Sequence, residues 1–284
     1  MSLSIIIPVF NEVKLLPQIL KKVIKATRLI NKEIIIVDDC SNDGTEQWLK
    51  EIQKKKFNYI SLKKNKLFFK KDKTLRNLRI FLKNKNEGKG SAVIIGLRHS
   101  KKKIIVIQDA DLEYNPKDLN LMINKIQKEN VDVVFGNRFS KKENKYHYFF
   151  YALGNYFLSK WISLLFKKKI LDVAVCYKMF KRDVIKGLNL NSKDFMFDFE
   201  LSAKILKKNK LKIINVPIFY NGRKFSEGKK ITWKDGMKAM FLIFKIFIVF
   251  YYFLNRKSRI SFCKSLRGFQ NVCRFRILRG VFYK

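Results

Sequence analysis

Four short segments carry the residue types that do chemistry. In DADLEYNP, Asp109 and Asp111 follow an apolar run two residues apart, so in an extended chain both carboxylates face one side. Such an oxygen-rich pair suits a hard cation, Mg2+ or Mn2+, shared with substrate phosphates. DDCSNDGT (Asp38–Thr45) and PVFNE (Pro8–Glu12) place Asp38, Asp39, Asn11 and Glu12 at the ends of two more apolar runs. Carboxylates there accept hydrogen bonds from ribose hydroxyls and base N–H groups, although the same residue types also build turns and helix caps. NEGKGSA (Asn86–Ala92) opens a helical pattern. Its glycines let the backbone approach a diphosphate, the helix N-terminus favours an anion, and Lys89 adds a point charge.

The elements that must position these groups alternate. Strands are expected at Ser4–Val9, Glu33–Asp38, Tyr59–Leu62, Ile104–Gln108 and Val131–Phe135. Helices are expected near Val13–Leu29, from Asp43, near Ser91–Arg98 and after Pro116. This rhythm predicts an α/β, Rossmann-like, mainly parallel sheet with helices on both faces, whose ligands bind outside the carboxyl ends of the strands. Residues 63–85 match neither period and read as an insertion. Residues 146–168 form an aromatic segment whose charge-free core, Tyr148–Ser159, is too short to span a bilayer. Ala239–Leu254 is apolar but carries Lys245, with Lys238 seven residues earlier on the same helical face. That pattern suits a helix lying in a membrane interface better than one crossing it, with an ordinary buried helix as the plain alternative. The segment after it, 255–284, is basic, aromatic and free of acidic residues, which an anionic leaflet attracts.

The chain has 284 residues, 47% of them apolar, which excludes disordered and collagen-like classes. Against 23 acidic residues stand 62 basic ones, a net charge of +39, so an acidic partner is expected. Lysine supplies 49 of the basic residues, and clusters such as Lys101–Lys103 and Lys167–Lys169 also read as solvated surface. The four cysteines show no metal spacing and there are two histidines, so neither a zinc site nor a disulfide scaffold is expected. MSLSIIIPVF runs straight into an apolar strand without a secretory leader, which places the chemistry on the cytoplasmic face of the membrane. A basic nucleic-acid-binding protein would explain the charge, but no RNP, KH or helix-turn-helix signature accompanies it, and no nucleic-acid partner is expected.

Taken in order, PVFNE, DDCSNDGT, NEGKGSA and DADLEYNP, followed by VDVVFGNRFS, LDVAVCYKMF, FMFDFE and VPIFYNGRKFSEGKKITWKDG, resemble family 2 glycosyltransferases. Within that family they are most similar to the polyprenyl-phosphate (dolichyl-phosphate) mannose and glucose synthases. The resemblance implies a GT-A catalytic domain over residues 1–236, with residues 237–284 as a membrane-associated apolar helix and basic tail. It implies an inverting transfer of a hexose from a nucleotide-sugar, UDP-glucose or GDP-mannose, to a polyprenyl phosphate. By the same carry-over Pro8, Asn11, Glu12, Asp38 and Asp39 hold the nucleoside. Asp109, Asp111 and Glu113 hold the metal, and Lys89 and Arg223 attend the diphosphate. Arg138 stands nearer the acceptor, and Asp109, Asp111, Arg138 and Arg223 are the catalytic set; Asp198 and Glu200, at an expected helix start, either orient the sugar or acceptor or complement the helix dipole. Glu113 stands where some relatives have Gln and adds a negative charge to the metal shell. The aromatic segment lacks an arginine that several relatives use on the acceptor phosphate, leaving Lys145, Lys160 or Lys167–Lys169 as substitutes. A phosphate acceptor is already deprotonated at neutral pH and needs no catalytic base. A saccharide acceptor, the alternative within the family, needs one, for which Asp198 or Glu200 is the candidate.

Overall fold

Seven of the eight residues in β1, Ser2–Val9, are buried without alternation. An unbroken buried run is the mark of a strand covered on both faces in a parallel sheet. The structure is a computed structural model that describes residues 2–54, 59–63, 66–70, 78–146, 149–208, 210–223 and 233–254. After β1 come α1 (Leu16–Ala26), β2 (Asn31–Asp38), α2 (Thr45–Lys54), β3 (Tyr59–Lys63), β4 (Lys66–Lys70) and β5 (Leu78–Leu82). There follow α3 (Lys89–His99), β6 (Ile104–Ile107), α4 (Asp118–Lys128), β7 (Val133–Asn137) and α5 (Phe149–Phe166). The described chain closes with β8 (Lys178–Lys181), α6 (Met196–Lys207), β9 (Ile213–Pro217) and α7 (Trp233–Leu254).

Seven strands form one sheet in the order β5-β2-β1-β6-β8-β7-β9. β1, β2, β5 and β6 are mutually parallel, as are β7 and β9, while β8 runs antiparallel to both of its neighbours. The expected mainly parallel sheet is therefore present, with one reversed strand that the pattern did not disclose. Helix α3 packs on β1 and β2, α4 on β7 and β8, and α5, α6 and α7 pack on one another.

Two expectations are corrected. Tyr59–Leu62 does not join the main sheet but pairs antiparallel with β4 in a separate hairpin. The strand beside β2 is instead β5, inside the segment read as a 63–85 insertion, with Ile34↔Leu78 through Asp38↔Leu82 in register. As an edge strand it is only half-buried throughout and sits between lysine-rich flanks, so it lacks the continuous apolar signature of β1 and β2. Its importance is positional, because it delivers Lys83 to the end of β2.

Helices α5 and α7 are two-faced. On α5, Asn155, Ser159 and Ser163 recur every fourth residue and bolt the helix to the 170–174 loop. Val173 N donates to Ser159 Oγ at 2.9 Å, Ile170 N to Ser163 Oγ at 2.9 Å, and Asn155 Nδ2 to Asp172 Oδ1 at 2.7 Å. The opposite face exposes Phe150, Leu153, Phe157 and Leu164. α7 packs on α5 through Trp161–Phe244 and Phe166–Phe247 ring contacts, and exposes Met237, Phe241, Phe244 and Tyr251. Lys238 and Lys245 are exposed alongside that stripe, as the spacing predicts. Among the described residues no helix is long and apolar enough to cross a membrane.

Candidate active site

A cleft of about 1230 Å³ opens where β1, β2, β6 and β7 end and where the reversed β8 begins. Pro8, Glu12, Asp39, Lys89, Asp109, Asp111, Glu113, Arg138, Asp198 and Arg223 all line it. Ten residues predicted from seven separate segments thus meet in one place. Asn11, Asp38 and Glu200 are not on its wall.

One end of the cleft is built on the β2–β5 junction. Asp39 accepts from the Glu87 and Gly88 amides at 3.1 and 2.7 Å and is ion-paired with Lys83, which also donates to Ser91 Oγ. Gly88 adopts φ +98°, a conformation that L side chains rarely take, and a Cβ there would lie 2.7 Å from the Lys193 carbonyl. Gly90 is tighter still, its virtual Cβ 2.3 Å from the Ser192 carbonyl. These glycines therefore let α3 begin against the 191–194 loop. Asp38 is displaced from its expected role. Its carboxylate takes the Ser41 amide and hydroxyl at 3.0 and 2.5 Å, and burial raises its pKa above the usual carboxylate value. Asn11, at φ 57°, likewise serves the loop, accepting from Asn42 N and donating its own amide to Ser41 Oγ. Both are turn residues, the role their types equally suited.

A chain of alternating charge crosses the floor. Lys89 Nζ lies 3.0 Å from both Asp109 and Asp198, and Asp198 receives Lys178 Nζ at 2.9 Å. Burial opposes the charge on Lys89, but Asp109 and Asp198 overcome it and hold the ammonium well above its ordinary pKa. Burial alone would raise Asp198, yet Lys178 and Lys89 keep it below the carboxylate range. Glu200 faces away, taking the Asn191 and Ser192 amides and Lys204, and it too is depressed despite burial. Neither carboxylate has the raised pKa of a general base tuned to neutral pH.

At the mouth, Arg223 gathers three carboxylates. Nη1 meets Glu12 at 3.0 Å, Nη2 meets Asp111 at 3.2 Å, and the backbone amide donates to Glu113 at 2.8 Å. Burial, then the charges of Asp109 and Glu113, push Asp111 up to about 8 against the pull of Arg223. The donor set is all oxygen, which suits Mg2+ or Mn2+. Glu113, however, is committed to the Tyr220 hydroxyl at 2.9 Å and to Arg223. Among the described residues no three such side chains converge as a ready-made metal cage. Of the three carboxylates expected to share a cation, Asp109 is paired with Lys89, Asp111 with Arg223, and Glu113 with both Arg223 and Tyr220.

The fourth cluster holds Arg138. Its Nε and Nη2 grip Asp172 at 2.6 and 2.7 Å, its amide donates to the same carboxylate, and its guanidinium lies 5.0 Å over the Tyr220 ring. Burial would lower the Arg138 pKa, but fully buried Asp172 raises it well above the ordinary value. The bidentate fork expected to meet a phosphate is thus taken by Asp172. None of Lys145, Lys160 or Lys167–Lys169 lines the cleft. Lys145 and Lys160 point to solvent, and Lys168 bonds the Lys208 carbonyl.

Sequence reading missed Lys83, Asp172 and Lys178, the counter-charges that hold the lining residues. Lys83 was hidden by the misread edge strand. Asp172 and Lys178 stood inside LDVAVCYKMF, where a charge at each end of an apolar run signals an internal partner. Cys176 is buried as expected but precedes β8 instead of lying within it, and burial raises its thiol well above the ordinary pKa.

From the cleft floor the cavity runs on between α5 and α7, past Phe150, Phe157, Leu158, Trp161, Met237 and Met240.

Comparison with known proteins agrees with this geometry. A dolichol-phosphate mannosyltransferase from Pyrococcus furiosus is 26% identical over 234 residues, which are 81% of this chain and 59% of that relative. The glucosyl-3-phosphoglycerate synthase of Mycobacterium tuberculosis, solved with Mn2+, UDP-glucose and phosphoglyceric acid, superposes with a TM-score of 0.59 at 14% identity. The superposition covers 87% of this chain and 79% of that one. S. aureus TarS superposes with a TM-score of 0.53 at 16% identity, covering 86% of this chain and 39% of that one. These structures share the GT-A fold. The Glycosyl transferase family 2 model matches residues 4–71 and 68–188. Because that match runs from the first strand past β8, it takes in every carboxylate-bearing strand end described above, and the chain belongs to glycosyl transferase family 2.

Proposed function

We propose that this glycosyltransferase moves a hexose from a nucleotide-diphosphate sugar, UDP-glucose or GDP-mannose, to a polyprenyl phosphate on the cytoplasmic face of a membrane. The observation that carries the reading is the continuity of the cleft. Its charged half leads directly into an apolar gallery between α5 and α7, which a lipid chain would fill and a soluble saccharide would not. The relative with 26% identity is named for a dolichol-phosphate acceptor, which points the same way. Catalytic residues 1–236 and a membrane-associated segment 237–284 remain the proposed division, and the exposed stripes of α5 and α7 are the proposed contact with an anionic bilayer. The basic segment 255–284 lies outside the described residues.

The chemistry follows from the charges. Asp39 and Glu12 accept hydrogen bonds from the nucleoside, while Lys89 at the start of α3 and Arg223 neutralise the diphosphate. A divalent ion held by Asp109 and Asp111, when bound, supplies further neutralisation of the leaving group. One oxygen of the acceptor phosphate attacks C1 of the sugar as the C1–O bond to the diphosphate breaks, with inversion. The diphosphate leaves with the bonding pair and no proton moves, so a chain whose candidate bases are pinned by lysines suffices. The apolar walls exclude water that would hydrolyse the donor.

Purified protein is incubated with Mg2+ or Mn2+, undecaprenyl phosphate and radiolabelled UDP- and GDP-sugars, and the organic phase is counted. One donor should label the lipid, with loss on EDTA treatment or in Asp111→Asn. Label appearing only in water-soluble saccharide would overturn the lipid acceptor.

A further inference from the structure

Where the charged half of the cleft meets the gallery, Phe139, Tyr146 and Tyr220 form an aromatic cluster. Tyr146 stacks on Phe139 at 5.6 Å and 8°, and tilts against Tyr220 at 5.7 Å. The Arg138 guanidinium lies over the other partner of that contact, the Tyr220 ring. Tyr146 and Arg138 both line the cleft and share Tyr220 as their platform. The Tyr146 hydroxyl is buried and has no hydrogen-bond partner among the described residues. The Asn144 side chain lies beside it, with its amide hydrogens on the carbonyls of Arg138 and Ile218 and its oxygen on Tyr220 N. Buried polar groups in native proteins are nearly always paired, so an orphan on a cleft wall points to a ligand.

We propose that the Tyr146 hydroxyl donates a hydrogen bond to the phosphate of the acceptor, beside Arg138. The assignment rests on the polyprenyl-phosphate reading above and names the protein group that meets the phosphate. It meets a need the other residues leave open. Asp172 occupies Nε and Nη2 of Arg138 and balances its charge, and the lysines considered as substitutes lie off the cleft. Desolvation pushes the Tyr146 phenol up to about 12, so it stays protonated and donates throughout the physiological range. A neutral donor held by ring stacking recognises a phosphate oxygen without adding charge beside the donor's diphosphate.

The test compares farnesyl phosphate with farnesol, binding to the full chain and to Tyr146→Phe by titration calorimetry, followed by transfer kinetics with polyprenyl phosphate. Phenylalanine keeps the stacking and deletes only the hydroxyl. Loss of a hydrogen bond to a charged group predicts about tenfold weaker farnesyl phosphate binding. Farnesol binding and the KM for the nucleotide-sugar should be unchanged, and the KM for the acceptor should rise. Equal loss for phosphate and alcohol would reduce Tyr146 to a packing residue. An intact preference for the phosphate in the variant would remove it from the site while leaving the function standing. If the unmodified protein itself does not prefer farnesyl phosphate to farnesol, the acceptor reading fails, and this assignment with it.

Discussion

Replacing Asp198 by Asn removes the one negative charge between two lysines while keeping side-chain shape. Lys178 is fully buried, and its remaining partner is the Val175 carbonyl. Lys89 retains Asp109. Removing one partner from a buried ion pair costs about 3–5 kcal/mol, because the other charge is left uncompensated. For a domain of this size that is a fall in Tm of about 6–20 °C. Lys178→Met combined with Asp198→Asn replaces the pair with neutral groups and should recover much of the loss. A double-mutant cycle by urea denaturation then reads a coupling of about 1–3 kcal/mol. The pH dependence has a defined sign. The folded pKa of Asp198 is lowered, so its stabilisation is present above the unfolded value of about 3.9 and fades as pH falls through the folded value. The gap between the protein and Asp198→Asn should therefore narrow below about pH 4. A variant with unaltered midpoint, or a double variant whose losses simply add, would refute the charge-chain reasoning. Unaltered stability with activity down by about 10²–10⁴ would instead make Asp198 a general base.

Gly90→Ala should destabilise by about 1–3 kcal/mol in urea titration despite alanine's better helix propensity, because its Cβ meets the Ser192 carbonyl at 2.3 Å and Phe197 Cβ at 2.7 Å. Gly154→Ala, with nothing within 4 Å, is the control and should be neutral or gain up to about 1 kcal/mol. Lys83→Met should free the loop that Asp39 gathers, seen as faster hydrogen exchange at the Glu87 and Gly88 amides. Unchanged protection there would mean that Asp39 needs no counter-charge. Phe157→Glu with Phe241→Glu, each exposed at 61% and 65%, should abolish cosedimentation with anionic vesicles while leaving Tm within about 2 °C. Retained cosedimentation would place the membrane contact elsewhere.

What the sequence disclosed was the set of groups that end strands. β1, β2, β6 and β7 are long apolar runs closed by polar residues, so Glu12, Asp39, Asp109 and Arg138 could be placed before any coordinates. β5 and β8 were not legible, because a half-buried edge strand of mixed charge and a strand that begins and ends in lysine lack a dominant apolar run. Their absence concealed Lys83, Asp172 and Lys178. Roles failed where a residue type served two ends equally well. Asp38 and Asn11 had the chemistry of ligands, but local backbone amides at 3 Å or less claimed them first. The Asp172 partner of the Arg138 fork was hidden because it lies 34 residues away in sequence.

The reversed direction of β8 gives the two walls of the cleft different constructions. Glu12, Asp39 and Asp109 follow β1, β2 and β6, while Lys83 and Lys89 both follow β5, so these groups are scattered over the first 113 residues and tied to four different strands. Arg138, Tyr146, Asn155 and Cys176 on the opposite wall come from one uninterrupted stretch that leaves the sheet after β7 and returns through β8. Because β8 enters from the cleft side, that stretch starts and finishes at the same rim. That part of the wall therefore hangs on a single antiparallel strand pair, β7 and β8, whereas the carboxylate-bearing wall is fixed strand by strand along the parallel sheet.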